Sequence, residues 1–496
     1  MALLLGVDIG TTVCKATVFD GDGRVMSAGA SGGCPVRFGA DGSAEQDSRD
    51  FWPAAREAIG QAIGQAMAAL GARPPVVAVG LTGAWTSVFA RAGEPLDLAI
   101  TWQDARATAE AADLAREVGT ERMAAWLGLD LPISAALPPA RLLWLRRHRP
   151  DLLAPGMSMA QAKDLVGWHL TGRWATDLVS AVCLVDPRTR RIAPELAARL
   201  GVTEALLPGL REPTDIIGHV TAAAAAATGL AAGIPVVCGI VDSWASMFGA
   251  GLGAPGVACD VAGTSGIVGL TAPAPRADAR GLISVPLRPG LSVLYGLTTA
   301  SGDSLRWCVE AFYDPEAGDA AFASFEREAA GAPAGAAGLL FLHYLLGERS
   351  PVWDELVRGA FVHIDRAHRR REFARAVIEG VAHAARQILT LAESVGGVRA
   401  DVLRCCGGGA RSALVNQIKA DLLQRPVETL QVAETGTLGA AMLAAVGAGH
   451  VGGLAEAAAR MVRPARRFRP DPAAAALYDA AHRRYLALYP SLRSAA

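Results

Sequence analysis

The first strand and turn, Leu3-Leu4-Leu5-Gly6-Val7-Asp8-Ile9-Gly10-Thr11-Thr12-Val13-Cys14-Lys15, constrain this chain most, because an apolar run ends on a carboxylate followed by Gly-Thr-Thr. Such a run reads as a buried strand, and Asp8 at its end would stand at the sheet edge, where a hydrated Mg²⁺ can be held. Gly10 lets the chain turn sharply, Thr11 and Thr12 offer hydroxyl and N–H donors, and Lys15 adds a point charge. Ala16 to Asp20 reads as the returning strand of a hairpin. The arrangement suits a phosphate group seated in the turn, and an ordinary tight hairpin with a solvated Asp is the competing reading of this segment alone.

At 496 residues the chain exceeds one ordinary core, and about two to four domains are expected. Lys plus Arg number 47 against 48 Asp plus Glu, so nothing suggests electrostatic capture of nucleic acid or of an anionic membrane. Neither partner is expected; a small soluble ligand fits better. The eight cysteines show no Cys-x-x-Cys spacing, and several sit in apolar runs as small hydrophobes, so neither a disulfide framework nor a zinc site is implied. Leu3 to Leu5 has no basic leader and meets Asp8 at once, which reads as no signal peptide. The longest apolar stretch, Leu438 to Gly449, is too short and Gly-rich to cross a bilayer, and a cytoplasmic protein is expected.

Strand and helix signals alternate along the first half. A helical pattern covers Asp50 to Leu70, the strand-like Val76 to Leu81 ends at the polar turn Thr82 to Ser87, and a helical region of about 105–170 follows. Ile234 to Val241 again runs an apolar strand into a carboxylate, Asp242. Then Val257 to Val268 repeats the opening: strand, Gly263-Thr264-Ser265 turn, returning strand. Helices are expected at Ser301 to Phe312 and Arg371 to Val395, and a strand at Val398 to Cys406 enters Gly407-Gly408-Gly409. The simplest architecture is two α/β units, 1–240 and 241–496, with a ligand cleft between them and a tail from Arg463 ending in a helix packed on the outside.

Gly263-Thr264-Ser265 is weak as a phosphate turn by itself, and gains weight by pairing with Gly10-Thr11-Thr12. In Cys405 to Gln417, a strand, a glycine turn and a helix start let backbone approach a flat or phosphorylated ligand closely. The segment has neither P-loop spacing nor the dinucleotide fingerprint. Asp242 fits a general base, and equally a helix N-cap ahead of Ser243-Trp244. Trp85, Trp102 and Asp104 are candidates for lining a polyol pocket, with packing in the core as the alternative for the tryptophans. His363, His368 and His383 show no metal spacing, and Leu342 to Asp354 reads as structural.

Taken in order, these segments resemble the FGGY family of carbohydrate kinases, within the actin, hexokinase and heat-shock-chaperone superfamily, over nearly the whole chain. The resemblance rests on Asp8 to Thr12, Trp102-Gln103-Asp104-Ala105-Arg106, Lys163-Asp164 with Leu170-Thr171-Gly172 and Thr176-Asp177, Gly263-Thr264-Ser265, Gly347-Glu348-Arg349-Ser350-Pro351, Glu379-Gly380, Gly407 to Ala410, and Glu434 to Ala441. It implies an α/β fold of two ribonuclease-H-like domains and ATP-dependent phosphorylation of a sugar hydroxyl. Asp242 matches the catalytic base and Asp8 the residue that positions Mg²⁺. Gly10, Thr11, Thr12, Lys15, Gly263, Thr264 and Ser265 match the phosphate side, and Gly407, Gly408, Gly409, Ala410 and Asn416 the adenosine side. Trp85, Thr86, Trp102, Asp104, Asp242 and Ser243 are the expected sugar side. Phosphoryl transfer asks mostly for positioning and charge neutralisation, with one carboxylate to accept the sugar proton.

The Gly347 to Asp354 stretch and the Gly-Thr-Ser-Gly form of the second motif resemble the xylulose and gluconate kinase branch, which points to D-xylulose. Xylulose kinases usually carry Gln-Met-His where Ala84, Trp85 and Thr86 stand, so gluconate, erythritol or another pentulose stays open. Glycerol kinases would have an Arg-Glu pair at Trp85 and Thr86, which weakens glycerol. A non-catalytic ATP-binding sensor is the reading from another class; Asp242→Asn separates the two, since a kinase would lose phosphorylation while retaining ATP binding. The expected partners are ATP and a small sugar, with a homodimer admissible.

Overall fold

Residue by residue, the computed structural model describes 2–493 apart from 130, 254, 255, 275–278, 289, 315 and 317. The apolar opening run forms β1 (Leu3–Ile9), and β2 (Val13–Asp20) and β3 (Val25–Gly32) continue it as antiparallel neighbours. The amphipathic helix Phe51–Leu70 lays Phe51, Ala55, Ile59, Ala62 and Ile63 on this sheet and stops at Gly71, whose φ of 69° forms a left-handed cap. It leads to β4 (Val76–Gly83), which pairs parallel with β1. The hairpin β5 (Thr86–Arg91) and β6 (Glu94–Thr101) then belongs to a second, five-stranded sheet. The stretch 105–170, expected to be helical, is broken by the strand Met157–Ala160, which pairs with β5 and completes that small sheet.

The main sheet is finished by β7 (Ile216–His219), β8 (Pro235–Val237) and the short β9 (Ile240–Val241), giving the order β7-β8-β4-β1-β2-β3 with β9 also on β4. Its strands β1, β4, β8 and β9 run parallel, so their C-terminal ends share one edge. The first compact unit comprises Met1–Gly253 together with Glu434–Arg463. The sequence division at residue 240 precedes the helix Asp242–Gly249, which the structure holds in this first unit.

The helix Thr435–Gly447 is the reason the late segment belongs here. It lies against the strands and against the helix Asp242–Gly249 at backbone contact: a Cβ on Gly6 would stand 1.9 Å from Thr437 O, one on Gly80 1.8 Å from Ala440 O, and one on Gly439 1.9 Å from Ala245 O of that helix. Only glycine allows so close an approach.

The second unit, Ala254–Ala433 with Pro464–Ala496, repeats the plan. Its strands are β10 (Ala258–Ala262), β11 (Gly266–Ala272), β12 (Ile283–Arg288), β13 (Leu291–Thr298), β14 (Leu403–Cys406), β15 (Val427–Leu430) and β16 (Pro464–Phe468), in the order β12-β13-β11-β10-β14-β15-β16. As in the first unit, an antiparallel hairpin, β10–β11, meets a later parallel strand, β14, on its other side. The 27-residue helix Arg370–Gly396 buries its apolar face on this sheet. The tail contributes more than the expected outer helix: β16 pairs antiparallel with β15, and the helix Ala475–Arg493 buries Tyr478, Tyr485 and Leu488. All eight cysteines are buried free thiols. Among the described residues no helix is long and apolar enough to cross a membrane.

Candidate active site

The register of the first sheet brings the two candidate carboxylates to one edge. Asp8 on β1 and Ile240 on β9 both pair with Thr82 of β4, from opposite sides, and Thr82 Oγ1 donates to Ile240 O at 2.7 Å. Two residues beyond Ile240 the chain enters the helix Asp242–Gly249, with Asp242 in its first turn. There Asp242 Oδ1 accepts the Ser243 N–H at 2.6 Å, and Ser243 is half-buried beside it. The N-cap is Val241, so Asp242 is the first helical residue and not the cap the sequence suggested, because its carboxylate turns to the adjacent Ser243 N–H; it stands at the C-terminal edge of parallel strands, where α/β proteins bind ligands.

Both carboxyls are held above the usual carboxylate range. Burial pushes Asp242 up to about 6, opposed by the Ser243 N–H. Burial and the nearby Asp242 charge push Asp8 up to about 7, against the pull of Lys15. Asp8 Oδ1 is buried with no hydrogen-bond partner, an orphan that costs stability unless something else satisfies it. On the other oxygen, a Cβ at Gly436 would stand 2.8 Å from Asp8 Oδ2, so the start of the helix Thr435–Gly447 packs closely over Asp8.

The rest of the first turn is partly engaged. Asp8 and Lys15 are cross-strand partners, and Lys15 Nζ donates to Glu434 Oε2 at 2.6 Å. Lys15 is thus present beside the turn but paired, and Glu434 is the residue that sequence reasoning gave no role. Thr11 is half-buried, its carbonyl accepting Gln46 Nε2 at 3.0 Å, and Thr12 is exposed. Gly10 is required by close approach, since a Cβ there would stand 2.7 Å from Val13 O.

On the expected sugar side the residues differ in availability. Trp85 is half-buried and Trp102 is 38% exposed. Thr86 is 1% exposed, with its N–H donated to Gln161 Oε1 at 2.9 Å and its Oγ1 without a partner. Asp104, 3% exposed, accepts the Ala44 N–H and is gripped by Arg106 through both oxygens, so its carboxylate is occupied within the protein. Gln161, like Glu434, was missed; the signal for it is Gln161-x-x-Asp164 ahead of a helix, a capping-box spacing.

In the second unit, parallel pairing of β10 with β14 sets Val261 beside Cys406 and brings the Gly263 turn and the Gly407 loop side by side. Gly263 and Thr264 are exposed and Ser265 half-buried. The carbonyls of Gly263 and Thr264 accept N–H groups of Gly302 and Asp303, at 3.0 and 3.1 Å, which ties the turn to the helix Gly302–Phe312. Gly407 takes a φ of 80°, and a Cβ on Gly409 would stand 2.7 Å from Ala262 Cβ. Gly408 faces open space. Asn416 Nδ2 clamps the carbonyls of Ala410 and Ser412 at 2.8 and 2.7 Å, while its buried Oδ1 has no partner. The glycine loop is thereby held rigid in front of the helix Ala413–Leu423, a backbone surface suited to a nucleotide.

Two family models for carbohydrate kinases match this chain in sequence, the FGGY N-terminal domain over residues 3–249 and the FGGY C-terminal domain over residues 259–448. The chain belongs to the FGGY family of carbohydrate kinases. A xylulose kinase of Lactococcus lactis is 28% identical over 455 residues, 90% of this chain and 88% of the relative. An autoinducer-2 kinase of Yersinia enterocolitica is 29% identical over 513 residues, 98% and 94% of the two chains. The crystal structure of xylulose kinase from Rhodospirillum rubrum superposes with a TM-score of 0.88 at 31% identity, covering 99% of both chains. This FGGY chain is therefore an enzyme, a carbohydrate kinase with two ribonuclease-H-like α/β domains, and kinases of this family use ATP and a sugar.

Proposed function

We propose that this FGGY kinase transfers the γ-phosphate of ATP to a hydroxyl of D-xylulose, giving D-xylulose 5-phosphate. The observation that carries the chemistry is the pair Asp8 and Asp242 on one sheet edge, with Asp8 Oδ1 unpartnered and Asp242 raised to about 6. At neutral pH such an Asp242 is mostly ionised yet more basic than a free aspartate, which suits acceptance of the acceptor's proton as its oxygen attacks the γ-phosphorus and ADP leaves. The free oxygen of Asp8 fits a hydrated Mg²⁺, which takes one or two carboxylates and keeps several waters. When bound, Mg²⁺ would supply charge neutralisation on the transferred group.

We assign the sugar side to the first unit, through Trp85, Thr86, Trp102 and Ser243, and the adenosine side to the second, through Gly407 to Ala410 and Asn416. The xylulose relatives and the Gly347 to Asp354 stretch support the pentulose; Ala84-Trp85-Thr86, in place of the usual Gln-Met-His, favours keeping gluconate, erythritol and other pentuloses as the second reading. ADP release measured over pentuloses, hexuloses, polyols and aldonates tests the assignment. D-xylulose is expected to show the highest kcat/KM; a higher value on an aldonate or a tetritol would move the assignment there, and no stimulation by any sugar would remove phosphoryl transfer to a sugar.

A further inference from the structure

A chain of buried polar contacts joins the acceptor turn to the strand that leads to Asp242, and no part of it is needed by the chemistry itself. It begins at Thr86, whose N–H donates to Gln161 Oε1 at 2.9 Å. Gln161 caps the helix Ala162–Thr171, and its own N–H donates to Asp164 Oδ2 at 2.9 Å. Asp164 Oδ1 accepts from Lys163 Nζ at 2.5 Å, and Lys163 Nζ also lies 2.9 Å from Asp177 Oδ2. Lys163 Nζ then reaches Cys238 O at 3.3 Å, four residues ahead of Asp242. Despite burial, the carboxylates of Asp164 and Asp177 hold Lys163 firmly protonated. All these groups are almost fully buried, so the contacts act at low dielectric, where they fix geometry strongly.

The end of this chain is what points to a ligand. Thr86 is 1% exposed, its N–H is already taken by Gln161, and its hydroxyl is left with no partner. A buried hydroxyl is retained without a partner only at a cost, and a bound sugar hydroxyl would remove that cost.

We infer that Gln161 is a positioning residue for acceptor selection. By holding the Thr86 N–H it fixes the Thr86 hydroxyl to meet one hydroxyl of the acceptor, and through Asp164 and Lys163 the same helix start keeps the strand before Asp242 in place. This rests on the sugar-kinase reading of the Thr86 turn. The ligand class is a polyhydroxylated acceptor whose hydroxyl is read by hydrogen bonding, and a site of this kind rejects an analogue lacking that hydroxyl.

The test uses the full-length enzyme with D-xylulose, or the best acceptor of the screen, and its mono-deoxy analogues. Gln161→Leu is expected to raise acceptor KM about tenfold or more and to reduce discrimination against one deoxy analogue, while the MgATP KM changes less than about twofold. Gln161→Glu, which keeps an accepting oxygen at the same place, is expected to restore acceptor KM to within about threefold of wild type. Thr86→Val, nearly isosteric, is expected to raise acceptor KM without lowering Tm, because it deletes an unsatisfied buried group. It keeps the inference testable should Gln161→Leu not fold. Unchanged acceptor KM and discrimination in Gln161→Leu or Thr86→Val, with only a lower Tm, would overturn the inference while leaving the kinase intact. A wild-type enzyme without sugar-stimulated ADP release would instead overturn the reading on which it rests.

Discussion

The turns Gly10-Thr11-Thr12 and Gly263-Thr264-Ser265 occupy the same place in two sheets of the same plan, each after the strand that carries a parallel partner on one side and its hairpin mate on the other. Two residues before the glycine they part: Asp8 stands in the first unit and Val261 in the second. The acidic residue next to Val261, Asp260, is buried and neutralised by Lys419 Nζ at 2.5 Å, so it presents no free charge. In the proposed function one backbone device would serve two tasks. The first turn would pair hydrogen-bond donors with an unsatisfied carboxylate oxygen, as metal-assisted chemistry requires; the second would offer donors alone, as bare binding of phosphate requires.

The comparison breaks most visibly at the proposed base. Asp242→Asn is expected to lower kcat by about 10³-fold or more, with ATP affinity by calorimetry unchanged, since a general base acts on rate and not on nucleotide binding. Asp8→Asn is expected to lower kcat/KM by at least about 10²-fold and to shift the Mg²⁺ titration to higher concentration. It should also raise Tm at pH 8. The sign follows from the folded Asp8 value of about 7 against an ordinary 3.8: the folded state binds more protons between those values, so its stability falls as pH rises through that window, and a neutral amide escapes the penalty. Placing a carboxylate on the second turn, Val261→Asp, is expected to raise the ATP KM about tenfold, because a charge without a metal partner opposes phosphate. If it instead tightened MgATP, the division of labour between the turns would be wrong.

Smaller effects separate the glycines. Gly407→Ala, at a φ of 80° and with Ala262 O 2.7 Å from the added Cβ, is expected to cost about 1–3 kcal/mol by chemical denaturation. Gly408→Ala, which meets nothing within 4 Å, is expected to leave stability within about 0.5 kcal/mol and thus to report only on the nucleotide. Last, a buried histidine pair of the second unit should respond to pH in the direction opposite to Asp8. Burial holds His482 down at about 4 and His383 well below its usual range, the two rings sharing one Nδ1···Nδ1 hydrogen bond of 3.2 Å. Their unfolded forms take up protons near 6.5 while the folded forms do not, so the second unit gains stability as pH rises from about 4 to 6.5. Hydrogen exchange on the helix Ala475–Arg493 should show this limb, and His482→Phe should flatten it.

Much of the fold was legible because it is carried by local pattern. Apolar runs ending at Asp8, at Leu81 to Gly83 and at Val241 marked the strand ends of the first sheet, and Gly71 and Gly397 stop helices where left-handed caps belong. The placement of Asp8 and Asp242 at one sheet edge was legible for the same reason, each standing at the end of such a run. What escaped were partners chosen by tertiary folding. Glu434 meets Lys15 across 419 residues and Gln161 meets Thr86 across 75, separations at which no periodicity speaks. The Ala44 N–H that Asp104 accepts comes from a strand 60 residues earlier and was hidden for that reason, whereas its ion pair with Arg106 lies only two residues away. The strand Pro464–Phe468 was hidden by its composition: Pro464, Arg466 and Arg467 are exposed, as an edge strand demands, and so read as part of the tail.

The helix Thr435–Gly447 has a consequence for synthesis of the protein. The first unit is opened by residues 1–253 but closed only by residues 434–463, so a nascent chain halted at Gly253 holds the apolar sheet and the backbone grooves at Gly6 and Gly80 uncovered. The ribosome must deliver the entire span up to Ala433 before that groove is filled. Asp8 acquires its covering at Gly436 at the same late moment, so the surroundings of this carboxylate are completed among the last events in synthesis of the polypeptide.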